Sequence, residues 1–184
     1  PDALGMAQAL AHYYNLPMFG LAGASESKLV DGQASAEAAL TLLVDTLSGA
    51  NLIHDLGYLE SGLTFSLAQL VICNEIVDWI EHFMAGVEIN DETLALDLID
   101  EVGPEGQYLK SQHTREHFRE RWYPQVFERD SYSGWLAKGG KSLAERAAER
   151  VEEILAEHQP EPLPENIRQK IRAIVRRAEG RAEG

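Results

Sequence analysis

The chain has 184 residues, 45% hydrophobic and 25% charged, which is enough for one substantial core. A net charge of −14 argues against nucleic acid, which calls for clustered positive charge, and no apolar run approaches the ~20 residues that span a bilayer. The charge is uneven: residues 1–109 hold 17 acidic residues and one lysine, Lys28, whereas 110–184 hold 13 acidic and 15 basic residues, and an acidic first part is compatible with a cationic substrate.

Pro1 to Gly5 carry neither an initiator methionine nor a signal pattern, so the chain is expected to be a piece of a longer protein. Asp2 to Asn15 reads as a helix capped by Asp2, with Leu4, Ala7, Leu10, Ala11 and Tyr14 on one stripe, stopped at Asn15-Leu16-Pro17. Met18 to Leu21 is a candidate buried strand, followed by a loop of small and polar residues from Ala22 to Lys28. Gln33 to Ser48 is helical, with Ala36, Ala39, Leu40, Leu43, Val44 and Leu47 inward and Glu37, Thr41, Asp45 and Ser48 opposite. Asn51 to Ile53 is a minimal strand, and His54 to Thr64 is a polar loop.

Ser66 to Ala85 is the most apolar helix. Leu70, Cys73, Val77, Ile80 and Met84 form one stripe, Ile72, Ile76, Trp79 and Phe83 a second, and Asn74, Glu75, Asp78, Glu81 and His82 a wet face. Cys73 reads as a small core residue; a lone cysteine makes no intrachain disulfide and points to a reducing, cytoplasmic compartment. Helix, strand, helix, strand, helix implies a parallel sheet with crossover helices, and two strands alone do not make a stable sheet, so further strands are expected upstream. A closed barrel and an open doubly wound sheet both satisfy the pattern.

Beyond residue 85 the strand signals vanish. Asn90 or Asp91 caps a helix to Val102, ended by Gly103-Pro104. Residues 105–140 are irregular and carry Phe118, Trp122, Tyr123, Phe127, Tyr132 and Trp135, read as a packing patch. Ser142-Leu143-Ala144-Glu145 is a capping box opening a helix to His158. A proline linker, 159–164, leads to a last helix with Ile167, Ile171, Ile174 and Ala178 inward and a frayed end at Glu179 to Gly184.

His54-Asp55 with Tyr58 and Glu60 is the leading chemical constellation. An imidazole and a carboxylate at a strand end orient one another and move protons or bind a ligand, and a tyrosine ring with a carboxylate holds a cation. Gly20 to Glu26 matches no phosphate-binding fingerprint and reads as a tight strand-to-helix turn. Lys28 either pairs with a neighbouring acid or meets a ligand carboxylate or phosphate. His113 and His117 have H-x-x-x-H spacing, but Arg115, Arg119 and Arg121 surround them, and no metal is assigned there.

Gly23-Ala24-Ser25-Glu26-Ser27-Lys28, Leu47 to Asp55, and Gly57-Tyr58-Leu59-Glu60-Ser61-Gly62-Leu63-Thr64 resemble the trimethylamine methyltransferase family, as do His113 to Phe118, Trp122-Tyr123-Pro124 and Gly139-Gly140-Lys141. The resemblance implies an α/β fold: the C-terminal part of a (β/α)8 TIM barrel in residues 1–86, followed by a helical C-terminal extension in 87–184 packing on it. It implies transfer of a methyl group from a methylated amine to a cobalamin (corrinoid) carried by a cognate partner protein and not held permanently by this chain. His54 and Asp55 would be catalytic, Tyr58, Glu60 and Lys28 would bind substrate, and Ser25 and His54 would face the cofactor. A homo-oligomer is expected, with no nucleic acid or membrane partner. The trimethylamine enzymes carry pyrrolysine, whose position is expected in or near Leu21 to Ser25; ordinary residues there favour the branch acting on quaternary amines such as glycine betaine. The competing reading is a non-catalytic interaction or structural fragment.

Overall fold

The computed structural model describes the backbone of residues 2–182 and the side chains of residues 5–180. It is mixed and mostly helical. One compact unit runs to Glu152 and a second begins at Glu153. Among the described residues, no helix is long and apolar enough to cross a membrane.

Helix α1 (Asp2–Tyr14) ends where Asn15 turns to φ 53°. The cap expected at Asp2 lies outside the described side chains. Strands β1 (Phe19–Gly20) and β2 (Leu52–Ile53) pair in parallel, Phe19 with Leu52 and Gly20 with Ile53, and the crossover between them is α2 (Gly32–Leu47). The expected parallel pair is therefore present, at two residues per strand. Asn51 anchors its start: its side chain accepts from the Met18 N–H at 2.9 Å while its own N–H donates to the Met18 carbonyl at 3.1 Å. Helix α2 opens on Asp31, whose carboxylate accepts from the Ala34 N–H at 2.9 Å.

The His54 to Thr64 segment is more than a loop. Strands β3 (Tyr58–Leu59) and β4 (Thr64–Phe65) form an antiparallel hairpin around a 3-10 turn at Glu60–Gly62, in which Glu60 and Ser61 take φ of 50° and 54°. Helix α3 (Leu67–Met84) follows, capped by Ser66, and lies against α2.

The core joins Ala38 and Leu42 of α2 to Ile72, Cys73, Ile76 and Ile80 of α3, with Ala22, Val126 and Ala147. On α2 the buried residues are Ala34, Ala38, Leu42 and Asp45, whereas Leu40 and Leu47 of the expected stripe are more than half exposed. Ala34, Ala38 and Leu42, spaced four residues apart, line up on this inward face. Likewise α1 buries Gln8 and leaves Leu10 and Tyr14 in the open. Glu75 departs from the expected wet face of α3: it is buried and accepts the backbone N–H groups of Gln125, Val126 and Phe127 at 2.7–3.1 Å. That carboxylate fastens the irregular segment to α3. Beside it Trp122 stacks on Trp79, with centroids 5.0 Å apart, and donates to Asp78 at 2.7 Å.

The helix expected from Asn90 to Val102 is two helices, α4 (Asp91–Leu94) and α5 (Leu96–Val102), because Ala95 adopts a left-handed conformation at φ 49°. Then come α6 (Gln112–His117), α7 (Tyr132–Ala137) and α8 (Leu143–Glu157). Helix α8 begins with the expected capping box: Glu145 Oε2 accepts from both the N–H and the hydroxyl of Ser142 at 2.7 Å. The last helix, α9 (Glu165–Ala182), stays regular through residues expected to fray, and its Ile167, Ile171 and Ile174 are exposed, not inward. Residues 183–184 of the expected frayed end lie outside the described residues.

Candidate functional site

Parallel pairing brings the carboxyl ends of β1 and β2 to one edge, so the loop from Leu21 to Lys28 and the turn from His54 to Gly57 emerge side by side. They touch at Gly23. Its φ is +94°, and a Cβ there would lie 3.0 Å from the Leu56 backbone, so only glycine lets the two turns close together. The Gly23 carbonyl accepts from the buried Cys73 thiol at 3.6 Å. Burial pushes that thiol's pKa up, which suits an inert core residue.

The hairpin is stitched to the first loop by its backbone. The Ser25 N–H donates to Tyr58 O, the Glu60 N–H to Ser27 O, and the Ser61 N–H to Ser25 O, at 3.0–3.3 Å. Glu37 of α2 supports the loop from below: it accepts from the Ser25 hydroxyl at 2.6 Å, the Glu26 N–H at 2.9 Å and the Gln33 amide at 2.9 Å. These donors, Ser25 first and Gln33 next, hold the Glu37 carboxyl below its ordinary pKa. Asp31 is likewise lowered, chiefly by the Ala34 N–H.

On this scaffold His54 Nδ1 donates to Asp55 Oδ1 at 2.6 Å, and its ring meets Phe19 edge-on with centroids 5.4 Å apart. The imidazole is 45% exposed and the carboxylate 23%. A ring held through Nδ1 leaves Nε2 for a ligand or a proton. Tyr58 packs edge-on against Phe65 at 5.6 Å, and Glu60 accepts from the Thr64 hydroxyl at 3.4 Å. Ser25 is only 4% exposed and its hydroxyl is committed to Glu37, so what it brings to the site is loop shape. Lys28 folds back to donate to the Glu26 carbonyl at 2.7 Å rather than to a side-chain acid.

The geometry thus joins His54 to Asp55 by side chains and ties Ser25, Tyr58 and Glu60 together through backbone bonds. Sequence reasoning missed Glu37 by placing it on a solvent face. Nothing in the helical spacing signals it, because the donors that meet Glu37 include Ser25 and Glu26 of the preceding loop. His113 and His117 also meet, with ring centroids 4.2 Å apart. Glu120, and then Glu92, hold the His117 imidazole's pKa above its ordinary value.

A parallel strand pair with a crossover helix is consistent with an α/β fragment, and its polar loops lie at the carboxyl ends of the strands. The chain belongs to the trimethylamine methyltransferase (MTTB) family, whose model matches residues 2–182. It is 42% identical over 148 residues to the trimethylamine methyltransferase MttB of Desulfitobacterium hafniense (strain DSM 10664 / DCB-2), covering 78% of this chain and 30% of that protein. It is 38% identical over 135 residues to MttB of Methanosarcina thermophila, covering 73% and 28%. A glycine betaine methyltransferase of Desulfitobacterium hafniense (strain Y51) is 34% identical over 140 residues, covering 75% and 29%. The chain spans less than a third of the length of these relatives.

Proposed function

We propose that this chain is the C-terminal part of a (β/α)8 barrel methyltransferase that moves a methyl group from a methylated amine to the corrinoid of a cognate partner protein. In that reading residues 1–86 supply the last barrel strands and residues 87–184 a helical extension. The observation that carries it is the His54–Asp55 pair, held half-exposed at the end of one of two adjacent parallel strands, in a chain of this family.

The residues present fit a large planar ligand at that edge. The His54 imidazole is accessible beside the exposed ring of Phe19, and Leu21, directly after the strand, is exposed as well. The corrinoid supplies the methyl acceptor when its carrier is bound. Asp55 fixes the ring of His54, and His54 presents Nε2 toward the ligand. Tyr58 and Glu60 offer a ring face and a carboxylate to a methylated ammonium, and holding the methyl group in line is the main task, since a quaternary amine has no proton to lose. Substrates in scope are trimethylamine and glycine betaine, the molecules in the relatives' names.

A second reading, in which the loops are structural only, draws on Ser25 and Lys28 spending their polar groups internally. Incubating the full-length protein with cob(I)alamin and each amine separates the two. The first reading expects amine-dependent consumption of cob(I)alamin; none with any of several methylated amines favours the second.

A further inference from the structure

We propose that Glu92, His113 and His117 form a divalent-metal site of the zinc class that fastens α4 to α6. A ring nitrogen of each histidine and a Glu92 carboxylate oxygen all lie within 4.8 Å of one another. Four residues apart on α6, the two imidazoles share a face, and Glu92 comes from the separate helix α4. Tetrahedral zinc draws such donors to about 3.3–3.5 Å from one another, so closure needs a shift of about 1 Å from half-exposed side chains. Two imidazoles and one carboxylate are a recurring zinc ligand set with one position left open.

Both imidazoles are already held by hydrogen bonds. His117 Nδ1 donates to the Glu120 carboxylate at 2.8 Å, which turns Nε2 toward Glu92 Oε1 at 3.3 Å. His113 Nε2 donates to the Glu92 carbonyl at 2.8 Å, which leaves the lone pair on Nδ1. A carboxylate or carbonyl on the far nitrogen is how ligating histidines are fixed in tautomer and direction. The neighbouring arginines are occupied elsewhere: Arg115 on the Lys110 carbonyl, Arg119 over the Phe118 ring and Arg121 over the Tyr123 ring. Glu92 and His113 also line a cavity of about 610 Å³ shared with Asp91, Asp97 and Glu116, whose charge favours a cation.

The test is titration of Co²⁺ into the chelator-treated full chain, followed by visible absorption, with displacement by Zn²⁺. One equivalent of Co²⁺ should bind with the ligand-field spectrum of nitrogen and oxygen donors. His113→Ala and His117→Ala should each weaken binding at least ~100-fold, and Glu120→Gln by about 10–100-fold. Glu116→Gln, on the cavity wall outside the ligand set, should weaken it far less than either histidine substitution. Glu92→Gln, on α4, should also weaken binding, and circular dichroism checks that every variant is folded. Absence of saturable binding, or binding that persists in a folded His113→Ala/His117→Ala chain, overturns the proposal.

Discussion

Asp45 sits on α2 with both carboxylate oxygens enclosed, without a hydrogen-bond partner, and packed against Gly20 of β1. A side chain at position 20 would collide with it, so the glycine exists to admit the carboxylate. Desolvation raises its pKa above the ordinary value. A carboxyl with a raised folded pKa is harmless while protonated and costs stability as pH rises from the ordinary carboxylate value through the folded one. Asp45→Asn should therefore raise the melting temperature at pH 7 by about 2–4 °C, the shift that ~1 kcal/mol produces in a chain of this size, and flatten the pH profile above pH 4. Glu75, unlike Asp45, is well partnered: three backbone N–H groups converge on its carboxylate. Glu75→Ala leaves them unpaired in the interior and should cost at least ~3 kcal/mol in urea unfolding, with Glu75→Gln costing less.

At the scale of elements, the crossover helix α2 does two jobs: it packs on α3 and it holds the first loop through Glu37. Its lowered pKa means that the Glu37 bonds contribute stability above the ordinary glutamate value and lose it as pH falls through the folded one. Acid melting curves should show this loss in the native chain and a smaller one in Glu37→Gln. Gly23→Ala should separate the two turns and lower stability by about 1–3 kcal/mol, because alanine meets both a left-handed φ and the Leu56 backbone. The parallel pair and its crossover were legible in the sequence because short apolar runs, Pro17, Gly49 and the helical stripes punctuate the chain. The buried faces were not. On α2 the buried face is Ala34, Ala38 and Leu42 rather than the stripe that holds Leu40 and Leu47, and on α3 the donors that bury Glu75 arrive from residues about 50 positions away. The hairpin was hidden because its turn rests on positive φ at Glu60 and Ser61, neither of which is a glycine. His54 and Asp55 were legible as a pair because adjacency in sequence is enough to bring their side chains together.

Across the whole molecule, apolar side chains stand uncovered on several elements: Leu10 and Tyr14 on α1, Phe19 and Leu52 on the strand pair, Trp79 and Phe83 on α3. Such faces are costly in water and mark surfaces that other protein normally covers. Residues 1–184 produced alone should bind a hydrophobic dye and self-associate in sedimentation; a monomer that melts cooperatively without binding the dye would contradict this. The strand-end site carries the proposed chemistry. Its most direct test compares the full-length protein with its His54→Ala variant, following cob(I)alamin consumption in the presence of trimethylamine or glycine betaine. The native protein should consume cob(I)alamin only with amine, and the variant should be about 10²-fold slower, the cost of a misplaced reacting group. Amine-dependent turnover that is equal in the folded variant, or absent from the native protein with every methylated amine, would contradict it.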